Sequence, residues 1–170
     1  MATLEIKTAE ELTDPALEAR WNARRAARET DVLQRILRTF VDRGGPIPVQ
    51  DIVLAYQDEE IHDALIALDG DDLIRVREGH LDIVYPFSAA PTPFVVRLPD
   101  GTDRYTCCAI DALGIAPMLG QRVHIRARCH DCDTPLDFSA DPEAPGPGAA
   151  GVMVWVGQHS EDRRRVLDSL

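Results

Sequence analysis

Four cysteines fall between positions 107 and 132: Cys107, Cys108, Cys129 and Cys132. Clustered thiols in a chain with no other cysteines point to metal or thiolate chemistry more than to structural disulfides. The segment Tyr105 to Gly120 leads out of an expected strand into an expected helix, with Cys108 at the helix start. A thiol there meets the positive end of the helix dipole and unpaired amide donors, both of which favour the thiolate. Asp111 follows three residues later, so the two side chains share one helix face. A thiolate beside a carboxyl group that can hold or deliver a proton makes a nucleophile and general-acid pair. The alternative at this spacing is a buried, inert cysteine next to a solvated first-turn aspartate. Neighbours leaving a strand face opposite ways, so Cys108, not Cys107, is expected to be the reactive thiol.

Cys129-His-Asp-Cys132 is a second candidate. Two thiols in such a turn can hold one soft ion, and the spacing suits half of a zinc knuckle. With Cys108 added, the expected metal-ligating set is Cys108, Cys129 and Cys132. Equally open is a plain turn with one buried and one exposed cysteine. A redox role is weaker, since no thioredoxin-like βαβ pattern surrounds the pair. His62, His80, His124 and His159 are scattered singly. Trp21 and Trp155 are expected to pack, and Arg163 to Arg165 to be solvated. No Gly-rich phosphate loop and no Ser-centred nucleophile elbow appears.

The elements that must position these residues are α+β in class. Thr8 with Glu11 fits a capping box, and Asp14-Pro15 places a cap before a first-turn proline. Val32, Leu33, Ile36, Leu37, Phe40 and Val41 recur at helical spacing, ended by Gly44-Gly45. Pro48 to Tyr56 is a short helix. A third helix follows Asp58, with Ile61, Ala64, Leu65 and Leu68 inward. Leu73 to Val76 and His80 to Tyr85 alternate as two strands around Glu78-Gly79. Three helices and a ribbon are the order of a winged helix, expected over 1–87. After a linker at Ser88 to Pro93, a small mixed β core carrying the cysteines is expected over 94–170. Its strands are Phe94 to Leu98, Arg104 to Cys107, Arg122 to Arg128, Leu136 to Ser139 and a final apolar Val152 to Val156. A helix over Ala109 to Leu119 stops near Pro117 and Gly120.

Winged helices usually read DNA, but the charge argues otherwise here. Between Arg43 and Arg75 there is no Lys or Arg, while Asp51, Asp58, Glu59, Glu60, Asp63, Asp69, Asp71 and Asp72 are acidic. Affinity for a duplex comes largely from neutralising phosphates, so this surface repels it. The whole chain of 170 residues carries 29 acids against 18 bases, a net charge of −11, which argues against a general polyanion binder. No apolar run reaches the ~20 residues of a membrane span. The polar, acidic Met1 to Glu11 is not a signal peptide. Membrane and nucleic-acid partners are therefore not expected, and the cytoplasm is the expected location.

Tyr105, Cys108, Ala109, Asp111, Leu113, Pro117, Leu119 and Gly120 together resemble the signature of the organomercurial (alkylmercury) lyases. Cys129 matches a further cysteine of the family in a turn. The resemblance covers roughly residues 30–156 and is specific over 105–135. It implies an enzyme that cleaves carbon–mercury bonds, with Cys108 attacking mercury and Asp111 mediating proton delivery to the departing carbon. Mercury is soft, so thiolates are its preferred ligands. A small organomercurial is the implied substrate and Hg(II) the product or bound ion. No cofactor is required, with Zn(II) as the other candidate ion. The family also has a second essential cysteine near an aromatic strand in its C-terminal part. This chain has no cysteine after Cys132, which implies a relative diverged or truncated there. The alternatives from other classes are a non-catalytic thiolate metal-binding protein and a winged-helix regulator.

Overall fold

The computed structural model describes residues 5–8, 10–12, 15, 19, 23, 29–56 and 61–155. Element labels below follow the described elements in chain order. The expected cap at Asp14, the acids Asp58 to Glu60, Trp21 and the arginine run lie outside these residues. The capping box at Thr8 is present. The Thr8 amide donates to Glu11 Oε2 at 2.7 Å, and the Glu11 amide to Thr8 Oγ1 at 3.3 Å, on a short 3-10 turn over Glu10–Leu12.

Helix α1 (Glu29–Arg43) buries Ile36 and Phe40 fully, with Val32, Leu33, Leu37 and Val41 packed beside them. That is the stripe its helical spacing requires. Helix α2 (Val49–Tyr56) contributes Ile52, and helix α3 (Ile61–Gly70) contributes Ile61, Leu65 and Leu68. Among the described residues no helix is long and apolar enough to cross a membrane.

Strands β1 (Ile47–Pro48), β2 (Ile74–Arg77), β3 (His80–Val84) and β4 (Phe87–Ser88) form the first part of an antiparallel sheet. Strands β5 (Val95–Arg97), β6 (Asp103–Thr106), β7 (Val123–Arg128) and β8 (Pro135–Ala140) continue it in the order β4-β6-β5-β7-β8. The join is made by β4, where Phe87 pairs with Thr106 and Ser88 with Tyr105. Helix α4 (Ala109–Leu119) packs on this sheet and buries Ala112, Ile115 and Ala116. The architecture is α+β.

One hydrophobic cluster runs from Ile36 and Phe40 through Phe87 and Val96 to Ile115, Ile125 and Phe138. Phe40 stacks on Phe87 with ring centroids 6.1 Å apart, a spacing within the favourable range for aromatic pairs. Arg104 on β6 fastens α1 to the sheet. Its Nε donates to the Val41 carbonyl at 2.9 Å and its Nη2 to that of Asp42 at 3.0 Å. These are carbonyls of the last helical turn, which have no partner inside the helix.

Several expectations change. Pro48, expected in the short helix to Tyr56, pairs instead in strand Ile47–Pro48, and Ser88, expected in the linker to Pro93, pairs in strand Phe87–Ser88. Two-residue strands are too short to show a period of two, so alternation cannot reveal them. The expected strand from Val152 is absent: residues 152–155 form no regular element, and Trp155 is 70% exposed instead of packed. An apolar run signals a strand only if a neighbour offers a free edge to pair with. Helix α4, by contrast, spans the expected Ala109–Leu119, running through Pro117 to Gly120, whose φ of 63° makes the left-handed cap.

Candidate active site

Thr106 closes β6 fully buried, its hydroxyl donating to the Cys108 carbonyl at 3.3 Å. The chain then turns, with the Cys107 amide donating to the Pro86 carbonyl at 3.0 Å. The two adjacent thiols separate here, as the strand argument expected. Cys107 is buried against Ile83 and Tyr85, while Cys108 is half-buried at the N-cap of α4.

The Cys108–Asp111 spacing reproduces half of a capping box. Cys108 has the extended backbone of an N-cap residue, φ −150° and ψ −179°. Asp111, the third helical residue, reaches back towards the Cys108 amide, as an acidic residue at that position does. Sulfur replaces the usual hydroxyl at the cap. The Ile110 and Asp111 amides face it and favour its thiolate, but it makes no regular side-chain capping hydrogen bond.

Burial overrides the helix start. The Cys108 thiol is pushed up to about 11, first by desolvation and then by its contact with the Asp111 side chain. The expectation of a thiolate favoured at rest is therefore corrected: the amide donors act in the expected direction but are outweighed. Cys107 is pushed up to about 12, again by desolvation first and then by Asp111.

Asp111 is 8% exposed, not the solvated first-turn residue of the alternative reading. Burial raises its pKa, against the lowering contacts of the Cys108 thiol, the Cys108 amide and the Tyr85 hydroxyl. Its Oδ2 is buried with no hydrogen-bond partner. A buried acceptor without a donor costs about 1–3 kcal/mol, and protonation relieves much of that cost. The geometry thus provides a carboxyl group disposed to take up a proton, beside a thiol that has one to give.

Tyr85 is the residue that sequence reasoning missed. It sits just past β3, half-buried, with its hydroxyl near enough to Asp111 for the two to shift each other's titration. Burial, then Asp111, Cys108 and Cys107 in that order, raise its pKa and keep the phenol protonated. The only signal was its place at the end of an alternating strand, which says nothing about a contact across the sheet.

Cys129 and Cys132 lie in the β7–β8 turn, half-buried and exposed respectively. Among the described residues, no three His, Cys, Asp or Glu side chains gather at metal-binding spacing. Cys108, Cys129 and Cys132 are thus not brought together as one ligand set. Two separate sites result: Cys108 with Asp111 and Tyr85, and the Cys129/Cys132 turn.

An N-cap thiol packed on a buried carboxyl, carried by a helix on an antiparallel sheet, defines an α+β thiol–carboxyl centre. Residues 87–169 match the model of the alkylmercury lyase family. It is 28% identical over 113 residues to an alkylmercury lyase of Staphylococcus epidermidis (strain ATCC 12228 / FDA PCI 1200), covering 65% of this chain and 50% of that protein. It is 28% identical over 132 residues to an alkylmercury lyase of Streptomyces lividans, covering 75% of this chain and 58% of that one. The chain therefore spans little more than half the length of these curated relatives. A crystal structure of the mercury-bound form of MerB2 shares the fold, with a TM-score of 0.59 and 20% identity over 69% of this chain and 58% of that one. The segment resembling the family signature, Tyr105 to Gly120, falls inside the matched residues.

Proposed function

We propose that this protein cleaves carbon–mercury bonds of small organomercurials, with Cys108 as nucleophile and Asp111 as proton carrier. The observation that carries the reading is the buried Asp111 carboxyl, with Oδ2 unpartnered, set against the Cys108 thiol. The family match over residues 87–169 supports it.

At rest Cys108 holds its proton, since burial keeps its pKa near 11. When the sulfur meets mercury, the metal stabilises the thiolate, as a coordinating cation does. The displaced proton passes to Asp111, whose raised pKa suits it to receive one. The new sulfur–mercury bond supplies electron density to mercury and weakens its bond to carbon. The carbon–mercury electron pair then leaves with carbon, which takes the proton from Asp111. A hydrocarbon departs and Hg(II) stays on sulfur, with no change in oxidation state. Protonation of carbon by a positioned acid contributes roughly 10²–10⁴-fold in rate. The Tyr85 hydroxyl, close by, moderates the rise in the Asp111 pKa.

The α1–α3 and β2–β3 region is read as a winged-helix-like domain over 1–87 that supports the β core over 94–170 without binding nucleic acid. Of the acids in its stretch without Lys or Arg, Asp63 and Asp71 are exposed. The site is expected to work in the cytoplasm without a cofactor.

Incubation with phenylmercuric acetate and excess monothiol, followed by gas chromatography of benzene, tests the reading. The protein should release benzene above the thiol-only control. Cys108→Ser should abolish the excess, and Asp111→Ala should lower it at least about 100-fold. Release no faster than the control by the unaltered protein overturns the proposal.

A further inference from the structure

The β7–β8 turn holds two thiols that the chemistry above leaves idle. Cys129 and Cys132 are both free. The backbone between them is closed on itself: the Cys129 amide donates to the Thr134 carbonyl at 2.9 Å, and the Asp133 amide to the Cys129 carbonyl at 2.9 Å. Asp133 takes up the left-handed conformation with φ 56°, and Arg128 Nη1 holds it through its carbonyl at 3.1 Å and its carboxylate at 3.0 Å. The thiols are therefore presented from a closed turn at the end of a six-pair antiparallel ladder, Val123↔Ala140 to Arg128↔Pro135. Cys132 Sγ lies 3.1 Å from Thr134 Oγ1, and the Cys129 thiol stands beside the same sulfur.

We propose that Cys129 and Cys132 form a two-thiolate site for one soft, thiophilic cation, independent of Cys108. Soft thiolate donors select soft cations and leave hard ones in water. With no third ligating side chain gathered at either sulfur among the described residues, the donor set suits an ion content with two thiolates, such as Hg(II). A tetrahedral Zn(II) site calls for four ligands. Binding exchanges two sulfur–hydrogen bonds for two sulfur–metal bonds and releases two protons, with no redox step. Because both donors come from one preformed turn, the second bond forms without further ordering of the chain, and the chelate should outlast competition by a monothiol.

The test removes the catalytic thiol first, so that its outcome is separate from the lyase reading. Full-length Cys108→Ser protein is loaded with one equivalent of Hg(II), challenged with a large excess of a monothiol, and weighed by native mass spectrometry alongside a count of free thiols. It should retain one ion per chain and lose two titratable thiols. Adding Cys132→Ser, or Cys129→Ser, should reduce the retained ion to none, with circular dichroism confirming that each variant is folded. Retention unchanged in these folded variants, no retention in Cys108→Ser, or mercury held only between two chains overturns the proposal.

Discussion

The Tyr85 hydroxyl stands near enough to the Asp111 carboxyl for each to shift the other's titration, relating the end of the β2–β3 ribbon to the first turn of α4. β4 pairs with both β3 and β6 between the elements that carry them, so this proximity depends on the sheet being assembled. It also opposes burial: the phenol lowers the Asp111 pKa while desolvation raises it.

Tyr85→Phe should therefore move the Asp111 titration upward, which carbon-13 NMR of the labelled carboxyl would read directly. A polar interaction of this kind is worth on the order of 1 kcal/mol. Organomercurial cleavage should accordingly fall by about fivefold, in a variant that keeps the ring and its packing. A titration that stays in place would show that the hydroxyl does not bear on the carboxyl.

Asp111 should also shape stability against pH. Its pKa is raised in the folded chain, so the folded state binds this proton more tightly than the unfolded one. The favourable contribution is complete below the ordinary carboxylate pKa and is lost as pH rises through the higher folded value. Asp111→Asn, which never ionises, should flatten that fall. Urea unfolding of both proteins from pH 4 to pH 8 checks it; parallel curves would contradict the assignment.

Three of the four thiols should alkylate in an order set by exposure and ionisation. Cys132 is exposed, and its pKa is lowered by the Thr134 hydroxyl first. Cys108 is half-buried and near 11, Cys107 buried and near 12. Limiting iodoacetamide at pH 7.5, read by peptide mass spectrometry, should label Cys132 well before Cys108, and Cys107 last. Early labelling of Cys107 would be inconsistent with its packing on Ile83.

Gly45 is required by contact. A Cβ there would lie 2.5 Å from Phe40 Cζ and 3.0 Å from the Ala89 Cβ. Phe40 is stacked on Phe87 in the fully packed core and has no room to retreat. Gly45→Ala should cost about 1–3 kcal/mol, the range for overpacking a core. The shift in the urea midpoint measures it, and a midpoint within error of the parent would refute it.

Much of this protein is legible in its residues alone. Helix α1 follows from the recurrence of Val32, Leu33, Ile36, Leu37 and Phe40, and α4 from the run Ala109 to Leu119, because helical spacing and caps are local properties. The pairing of Cys108 with Asp111 is local too: three residues along a helix put both on one face wherever the helix sits. So is the separation of Cys107 from Cys108. What only the tertiary structure decided comes from contacts distant in sequence. Burial turns the Cys108 helix start from a thiolate-favouring site into one whose thiol keeps its proton, because desolvation depends on what packs over it. Tyr85 reaches Asp111, and Arg104 reaches the carbonyls of Val41 and Asp42, only because β4 carries the sheet across from β3 to β6. Residue types state which groups can react, whereas the order of strands fixes which of them meet, and whether water is there when they do.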